Sequence, residues 1–375
     1  AAAAPHATTI TTTAEVRDLY ARLLNRDDVT DESTFVSLDG DSLSYVEMSI
    51  QLEDALGTLP ANWHTTPIRA LTPGPQRRRA GWKHVETNVL IRAAAIVAIV
   101  GTHANLFTIL GGAHALLGIA GYNFARFHLT AAGRRERIGH VVTSVARVAL
   151  PSMIWIAGAA ALSESYTLTN ALLLNGLLGP DRWSSQWHYW FIEVIVYTLL
   201  ALALMMAVPW VDRLERRSPF WFSVGLTGVG LLTRYEIVGF GNGPRLGVAH
   251  IIFWLFAIGW AAAKAPSGWH RMLVSALIAL TIPGFFDNPA RDAVVIGALL
   301  FLVWIPSIPV PTILARLSGV VASSSLYIYL THWQVYPYLD DYSPLLAVVA
   351  SIVVGIAYWK VASYVMGGRA RYGRR

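Results

Sequence analysis

The chain has 375 residues, of which 54% are hydrophobic and only 14% are charged. This composition is far more apolar than that of a typical soluble protein, so it predicts a polytopic membrane protein. The absence of cysteine excludes disulfides, a cysteine zinc site and a cysteine nucleophile. The formal charge of +6 is uneven, because residues 1–71 hold 4 Lys+Arg and 11 Asp+Glu, whereas the remainder holds 25 and 12. An acidic soluble module therefore precedes a basic membrane module.

The N-terminal part of the chain is predicted to be a small soluble four-helix bundle. Residues 1–13 are expected to form a flexible lead-in, and apolar residues at helical spacing follow from Ala14 to residue 71. Asp41 can cap a second helix, which leaves Ser42 at the exposed start of that helix. Free N–H groups at a helix start favour negative charge, so this position suits a phosphate group.

The rest of the chain is predicted to be an all-α membrane domain. Residues 72–87 form a basic Pro/Gly linker, about ten apolar spans occupy residues 88–366, and residues 367–375 form a basic tail. The spans are expected near residues 88–107, 109–128, 139–162, 187–209, 219–233, 247–263, 271–286, 291–306, 318–338 and 344–366. Arginine-rich connections recur on the linker's side of these spans. By the positive-inside rule, the soluble module and both termini are therefore expected in the cytoplasm.

Arg92 and His103 are polar residues inside the first apolar span. They are eleven residues apart, close to three helical turns, so they share one helix face. Such groups are costly in a membrane unless they face a bundle interior or a wet cavity, and we predict that this face is the wall of a site. The alternative is that Arg92 reaches the interface and His103 meets a backbone carbonyl. Further candidates in later spans are Arg147, Trp190, Glu193, Tyr197, Tyr329 and His332.

Residues 14–71 resemble an acyl or peptidyl carrier domain. The resemblance rests on Phe35, the run Leu38-Asp39-Gly40-Asp41-Ser42-Leu43, Glu47, Leu52-Glu53 and Leu56-Gly57. It implies a 4′-phosphopantetheine arm attached covalently to Ser42, with Asp41 beside it, and an acyl thioester donor carried on that arm. It also implies a phosphopantetheinyl transferase and an acyl-activating ligase as partners. The alternative is an unmodified docking module, with free acyl-CoA as the donor.

Residues 84–366 resemble the acyltransferase-3 family of integral membrane O-acyltransferases. The resemblance rests on five pieces: Arg92 with His103, Gly111-Gly112 with Ala120-Gly121-Tyr122, Arg147 with Pro151, Trp187 or Trp190 with Glu193 and Tyr197, and the run from Ser325 to His332. Five pieces in family order cover the whole membrane region. The sequence departs from the family in two places. The arginine-rich stretch before Pro151 is reduced to one arginine, and Ala120 replaces a serine of the second span.

The chemistry of these residues suggests their roles. His103 is the expected general base, and Arg92 is expected to hold the arm's phosphate or to keep the site electropositive. Glu193 is expected to orient a histidine or to position the acceptor, and His332 or Tyr329 to stabilise the oxyanion. The remaining expected roles are cofactor binding for Arg147 and substrate binding for Trp190, Tyr197 and Tyr329. No spacing of metal ligands stands out in the sequence.

The predicted function is transfer of an acyl group from the carrier's thioester to a hydroxyl of an envelope glycan or glycolipid in a bacterial inner membrane. A proton-coupled transporter or flippase is a rival interpretation, since intramembrane His, Arg and Glu also relay protons. The basic residues flank the spans and do not cluster on a soluble face, so no nucleic-acid partner is predicted.

Overall fold

The structure is a computed structural model that describes residues 12–24, 26–38, 40, 44–57, 59–60, 62–71, 81–130, 133–239 and 244–372. Four sequence predictions concern residues outside this set, namely most of the lead-in, the pair Asp41 and Ser42, most of the linker and the end of the tail. The described residues are predominantly helical, as predicted.

In the part of the chain that the structure describes, sixteen α-helices and two β-strands follow one another. The helices are α1 (Thr13–Leu24), α2 (Ser44–Leu56), α3 (Thr87–His103), α4 (Gly112–Phe127), α5 (Arg134–Leu162), α6 (Leu168–Ala171), α7 (Asn175–Leu178), α8 (Trp190–Ala207), α9 (Pro209–Arg217), α10 (Pro219–Arg234), α11 (Ala249–Ala263), α12 (Gly268–Thr281), α13 (Pro289–Trp304), α14 (Thr312–Ser323), α15 (Ser325–Thr331) and α16 (Pro344–Tyr372). The strands are β1 (Trp82–Glu86) and β2 (Ser307–Pro311).

The N-terminal module packs α1 and α2 around an aromatic core. Helix α1 buries Val16, Leu19 and Tyr20, as its apolar spacing predicts. Phe35 and Trp63 pack edge to face in the same core, with ring centroids 5.0 Å apart. Two 3₁₀ turns, at Trp63–Thr65 and Ile68–Ala70, complete the described part of the module. The count of four helices therefore stays a prediction.

Each of the ten predicted spans overlaps a helix or a helix pair of the structure. These are α3, α4, α5, α8, α10, α11, α12, α13, α14 with α15, and α16. By length and apolar composition, three described segments can cross a membrane: Arg134–Leu162, Ser185–Ala207 and Pro344–Val365. The pair Thr312–Ser323 and Ser325–Tyr338, bent by 60°, gives a fourth if it is one span. Several of the other helices are shorter, so the number of ten spans stays a prediction.

The sequence predicts no strand, but the described residues contain one antiparallel pair. Trp82 of β1 faces Pro311 of β2, and Glu86 faces Ser307. Strand β1 lies in the predicted linker, and β2 lies in a proline-rich connection, where prolines obscure the alternation that marks a strand. The all-α prediction needs correction in this detail. The sheet joins the start of α3 to the start of α14, and α14 packs on α2 of the N-terminal module.

Helices α4 and α11 pack with their backbones in direct contact. A Cβ at Gly259 would lie 1.7 Å from the carbonyl oxygen of Gly118, and a Cβ at Gly121 would lie 1.9 Å from that of Phe256. Only glycine fits at these positions, as is common where small residues let membrane helices approach each other. This packing holds α4 in place, and side chains of α4 line the cavities of the membrane domain.

Candidate functional site

A pair of histidines lies where α3 ends. His103 is the last residue of α3, and its Nδ1 lies 2.9 Å from Nε2 of His332, which directly follows α15. His332 is fully buried, and its Nδ1 lies 2.8 Å from the carbonyl oxygen of Tyr329. A carbonyl oxygen can only accept, so Nδ1 of His332 carries the proton. The fold thus brings together two of the predicted catalytic residues across 229 positions of the chain.

This hydrogen-bond chain determines the tautomer of His103. In neutral His332, Nε2 has no proton and accepts, so Nδ1 of His103 donates to it. The other ring nitrogen of His103, Nε2, then carries a lone pair, and in the described part of the chain no hydrogen bond reaches that atom. A proton taken up at Nε2 is stabilised through His332, an arrangement that suits a general base.

The ring of His103 lines a cavity of about 260 Å³ at the end of α3 that is remote from the N-terminal module. We call it the far cavity. Its walls are Ile99, Thr102, His103, Ile109, Leu110, Gly111, Gly112, Ala113, Trp183, Ser184, Trp187, His188, Trp190, Arg291, Tyr329 and Trp333. Trp190 and Tyr329, two of the predicted substrate residues, are among them. A partly open, aromatic space beside the predicted general base suits an acceptor molecule.

A second cavity, the central cavity of about 140 Å³, contains both arginines predicted for the site. Arg92 and Arg147 line it together with mostly apolar side chains of α4, α5 and α8. The Nε of Arg92 donates to Oγ of Ser325 at 2.8 Å. Arg92 and His103 therefore do not share one cavity, contrary to the single wall predicted. The reason is Tyr329 of α15, which belongs to the walls of both cavities and stands between them.

A third cavity, of only about 10 Å³, lies between the N-terminal module and the central cavity, with which it shares three wall residues. The residues of this carrier-side cavity are Gly40, Phe127, His128, His140, Thr143, Ser144 and Arg147. Nε2 of His128 lies 2.6 Å from Oγ of Ser144, and both residues, like Arg147, also line the central cavity. Gly40 is two residues before Ser42. Gly40 is thus the described residue nearest in sequence to the predicted attachment site on that side, and it lines a cavity next to the central one.

A partly buried polar group holds the N-terminal module against the membrane domain. Arg126 of α4 donates from Nη1 to Oε2 of Glu86 at 2.7 Å and from Nη2 to the hydroxyl of Tyr45 at 3.2 Å. The Tyr45 hydroxyl in turn donates to Glu86. Burial, reinforced by the charge of Glu86, raises the pKa of Tyr45, so its hydroxyl remains a donor. Beside this group, Ile50 of α2 packs on Gly319 of α14.

His64 is a buried histidine at the same interface. Its ring packs edge to face with Tyr45 and Phe127, and its Nδ1 has no hydrogen-bond partner among the described residues. Burial, together with the charge of Arg126, lowers the pKa of His64 from 6.5 to about 4. The ring is therefore neutral at pH 7.

We expect acid to destabilise this interface through His64. The folded state binds the proton less readily than the unfolded state, so the stability that the neutral ring contributes is complete above pH 6.5 and is lost as the pH falls towards 4. The shift corresponds to about 3 kcal/mol when fully expressed. Between about pH 7 and about pH 5, the melting temperature of the full-length protein should fall more for the wild type than for His64→Phe. Equal falls would contradict this role of His64.

Two regions of the chain match known families. Residues 89–365 match the acyltransferase-3 family, described as an acyltransferase domain, and residues 14–62 match a phosphopantetheine attachment site. The first match covers more than half of the chain. The chain belongs to the acyltransferase-3 family. No curated protein and no solved structure gives a significant match to it.

As an acyltransferase-3 protein, the chain is a membrane-embedded acyltransferase with a phosphopantetheine attachment domain. Both family resemblances seen in the sequence are confirmed. The attachment domain implies covalently bound phosphopantetheine and a phosphopantetheinyl transferase as partner. Asp41 and Ser42 lie outside the described residues, so their roles stay predictions.

Two predicted site residues of the acyltransferase-3 domain contact the start of α7 and the residues before it instead of the histidine pair. Glu193 accepts hydrogen bonds from the backbone N–H groups of Asn175 at 3.0 Å and Gly176 at 2.5 Å. The hydroxyl of Tyr197 donates to the carbonyl oxygen of Leu173 at 2.6 Å. Neither side chain hydrogen-bonds to a histidine in the ranges that the structure covers. This geometry favours a role in holding the segment around α7.

The acyltransferase-3 domain also brings to the site residues that no motif singled out. Arg291 and Trp333 line the far cavity, and His128 lies between the carrier-side and central cavities. Each is a single residue near a helix end, so its only signal in the sequence is a polar or aromatic residue beside an apolar run. The tertiary fold is needed to group them.

Proposed function

We propose that the protein is an O-acyltransferase that moves an acyl group from a thioester on its own carrier domain to a hydroxyl of an envelope glycan or glycolipid. The main support is the row of three cavities from Gly40, two residues before Ser42 in the sequence, past Arg147 and Arg92 to His103, with Tyr329 between the last two cavities. The donor and acceptor then approach from opposite ends of α3. The carrier would face the cytoplasm of a bacterial inner membrane, where an acyl-activating ligase loads it.

The residues around the carrier-side cavity have the chemistry to hold the phosphodiester of a phosphopantetheine arm, and the cavity, of about 10 Å³, has to widen to admit it. Arg147 supplies positive charge and N–H donors, and His128 and Ser144 supply further polar groups in the same small space. Coenzyme A carries a pyrophosphate and a ribose phosphate, whereas the arm carries one phosphodiester, so fewer arginines suffice. The apolar walls of the central cavity suit the uncharged part of the arm. From Arg92 to His103, helix α3 rises roughly 16 Å. The arm has to span about this distance for its thioester to reach His103 while its phosphate stays near Arg92.

The histidine pair accounts for the proton transfers of the reaction. When attached, the arm supplies the acyl thioester and, as the C–S bond breaks, the thiol leaving group. Nε2 of His103 removes the proton of the acceptor hydroxyl while the hydroxyl oxygen forms its bond to the carbonyl carbon. His332 accepts from Nδ1 of His103 and stabilises the imidazolium. His103 then returns the proton to the departing sulfur, so no acyl group is bonded to the protein's own side chains in the membrane domain.

The docked position of the carrier favours the carrier over free acyl-CoA as the donor. Gly40 is buried and forms part of the carrier-side cavity, so the carrier occupies the approach through Arg147. Free acyl-CoA would reach this approach only after the carrier had moved away. Fusion also raises the effective concentration of the donor without any additional contact.

Displacing the carrier without altering the histidine pair tests the proposal. A Cβ at Gly319 would lie 2.5 Å from Cδ1 of Ile50, so Gly319→Leu should push α2 away at an overpacking cost of about 1–3 kcal/mol. Single-turnover transfer from the acyl-loaded carrier to an extract of bacterial envelope glycans and glycolipids should slow about tenfold. Attachment of the arm, followed by intact mass, should be unchanged.

Val320→Leu is the matched control, because Val320 is 40% exposed on the same helix. This variant should transfer the acyl group at the wild-type rate. If Gly319→Leu transfers the acyl group at the wild-type rate, docking of the carrier through α2 is not needed for transfer. A loaded wild-type carrier that never discharges to the extract would overturn the proposed function.

A further inference from the structure

Arg291 is a cation in the far cavity that neutral groups hold in place. It lies in the first turn of α13 and lines the far cavity together with His103. Its Nη2 donates to Nδ1 of His114 at 3.3 Å, and its guanidinium lies 4.9 Å from the ring centroid of Phe286. Nε2 of His114 donates to the carbonyl oxygen of Leu246 at 3.0 Å, which leaves Nδ1 as the acceptor of a neutral imidazole. His114 therefore orients the guanidinium without neutralising its charge.

No carboxylate forms an ion pair with Arg291 in the part of the chain that the structure describes, and its one electrostatic partner there is the neighbouring Asp292. The Nε of Arg291 is buried and has no hydrogen-bond partner among the described residues. Asp292, the next residue, accepts from the backbone N–H of Gly284 at 2.8 Å instead. The described walls of the far cavity contain no Asp or Glu. A half-buried guanidinium that forms no ion pair and has an unpartnered Nε is stabilised by an anionic ligand that completes its hydrogen bonds.

The backbone adds to the positive potential of the far cavity. Gly111, with φ of 101°, turns the chain into α4, so that Gly112 and Ala113 at the start of this helix line the cavity. The first N–H groups of a helix have no intrahelical partner and favour negative charge. A Cβ at Gly112 would lie 2.8 Å from the carbonyl oxygen of Ala95, so a larger residue would displace this helix start.

Tryptophan rings form much of the remaining wall of the far cavity. Trp183, Trp187 and Trp190 line it, and Trp333 stacks on His188 with ring centroids 3.6 Å apart. Flat aromatic faces with polar groups at their edges suit a sugar ring, which presents C–H groups on its faces and hydroxyls at its rim. The cavity thus combines a stacking surface, a cation and a general base.

We propose that the acceptor is an anionic saccharide, whose carboxylate or phosphate pairs with Arg291 while a hydroxyl of the same sugar is presented to His103. The inference rests on the proposed function, because it assigns the acceptor half of the same site. It specifies the chemical class of an acceptor that the family match leaves open.

Binding of three matched probes tests the inference without acyl transfer. Methyl glucoside, methyl glucuronide and the 6-phosphate of methyl glucoside differ only in bearing a neutral group, a carboxylate or a phosphate. Calorimetric titration of the full-length protein in detergent should show at least about tenfold tighter binding of one or both anions than of the neutral sugar. The two anionic probes identify which group supplies the charge. Arg291→Gln should abolish the preference, and Arg291→Lys should retain part of it.

The His103→Ala variant separates this inference from the proposed function. It keeps Arg291 and should retain the preference for the anionic probes over the neutral sugar, even where the loss of the imidazole weakens the binding of all three. If the wild type prefers the anionic probes but transfers no acyl group, the proposed function is wrong and the anionic binding site still stands. Three outcomes would overturn the proposal of an anionic acceptor. The three probes could bind equally, none of them could bind, or Arg291→Gln could keep the preference of the wild type.

Discussion

The His103→Ala variant is expected to lose acyl transfer by about 10²- to 10⁴-fold, the range that a general base supplies. His332 uses both ring nitrogens, one towards His103 and one towards the carbonyl oxygen of Tyr329, so it has no lone pair left for the acceptor. Nε2 of His103 is therefore the one nitrogen of the pair that is able to take the proton. The measurement is the single-turnover rate at which a labelled acyl group leaves the loaded carrier for the envelope extract.

His270→Ala is the matched control for this variant. Nδ1 of His270 lies 2.8 Å from Oγ of Ser267 at the start of α12, and His270 lines neither the central nor the far cavity. The His270→Ala variant should transfer the acyl group at the wild-type rate. Both His103→Ala and His270→Ala should gain the phosphopantetheine arm as the wild type does. A His103→Ala rate within about twofold of the wild type would rule out His103 as the base.

The Ser42→Ala variant is expected to lose both the arm and transfer from the fused carrier. The serine hydroxyl is the attachment point that the carrier resemblance implies, and alanine has no oxygen to modify. After co-expression with a broad-specificity phosphopantetheinyl transferase, the wild type should gain the mass of one phosphopantetheine and the variant none. Discharge of an acyl group to the envelope extract should be undetectable for the variant.

Ser49→Ala provides the control for loss of a serine in the same module. The Ser49 hydroxyl donates to the carbonyl oxygen of Val46 within α2, so it has no part in attachment. This variant should gain the arm. If the Ser42→Ala variant still gains a phosphopantetheine, the attachment site lies at another residue. Equal transfer from free acyl-CoA by the wild type and Ser42→Ala would reduce the carrier to a docking module.

Helical periodicity allowed much of the fold to be predicted, because a buried apolar stripe repeats with a period that one sequence displays. The spacing of Arg92 and His103 correctly indicated one helix, α3, with His103 at its end. Spacing does not reveal which cavity each side chain faces, because that depends on neighbouring helices. Tyr329, from a helix far along the chain, divides the face that the spacing had joined.

The contacts of the N-terminal module and of Glu193 depend on tertiary structure and could not be predicted from the sequence. Tyr45, Glu86 and Arg126 are ordinary surface residue types in the sequence, and only docking buries them together. A carboxylate in an apolar span suggests chemistry, yet the partners of Glu193 are backbone N–H groups, which carry no residue-specific signal. The same holds for Arg291, whose importance comes from a cavity assembled by several helices.

A double-label, single-turnover experiment tests most directly whether the acyl group comes from the fused carrier. The wild-type carrier is loaded with an isotope-labelled acetyl arm, repurified, and mixed with the envelope extract and an excess of unlabelled acetyl-CoA. The acetylated product of the first turnover should carry the isotope, and the intact mass of the protein should fall by one acetyl group. Product that carries only unlabelled acetyl groups, with the labelled arm still intact, would contradict transfer from Ser42 through the cavities to His103.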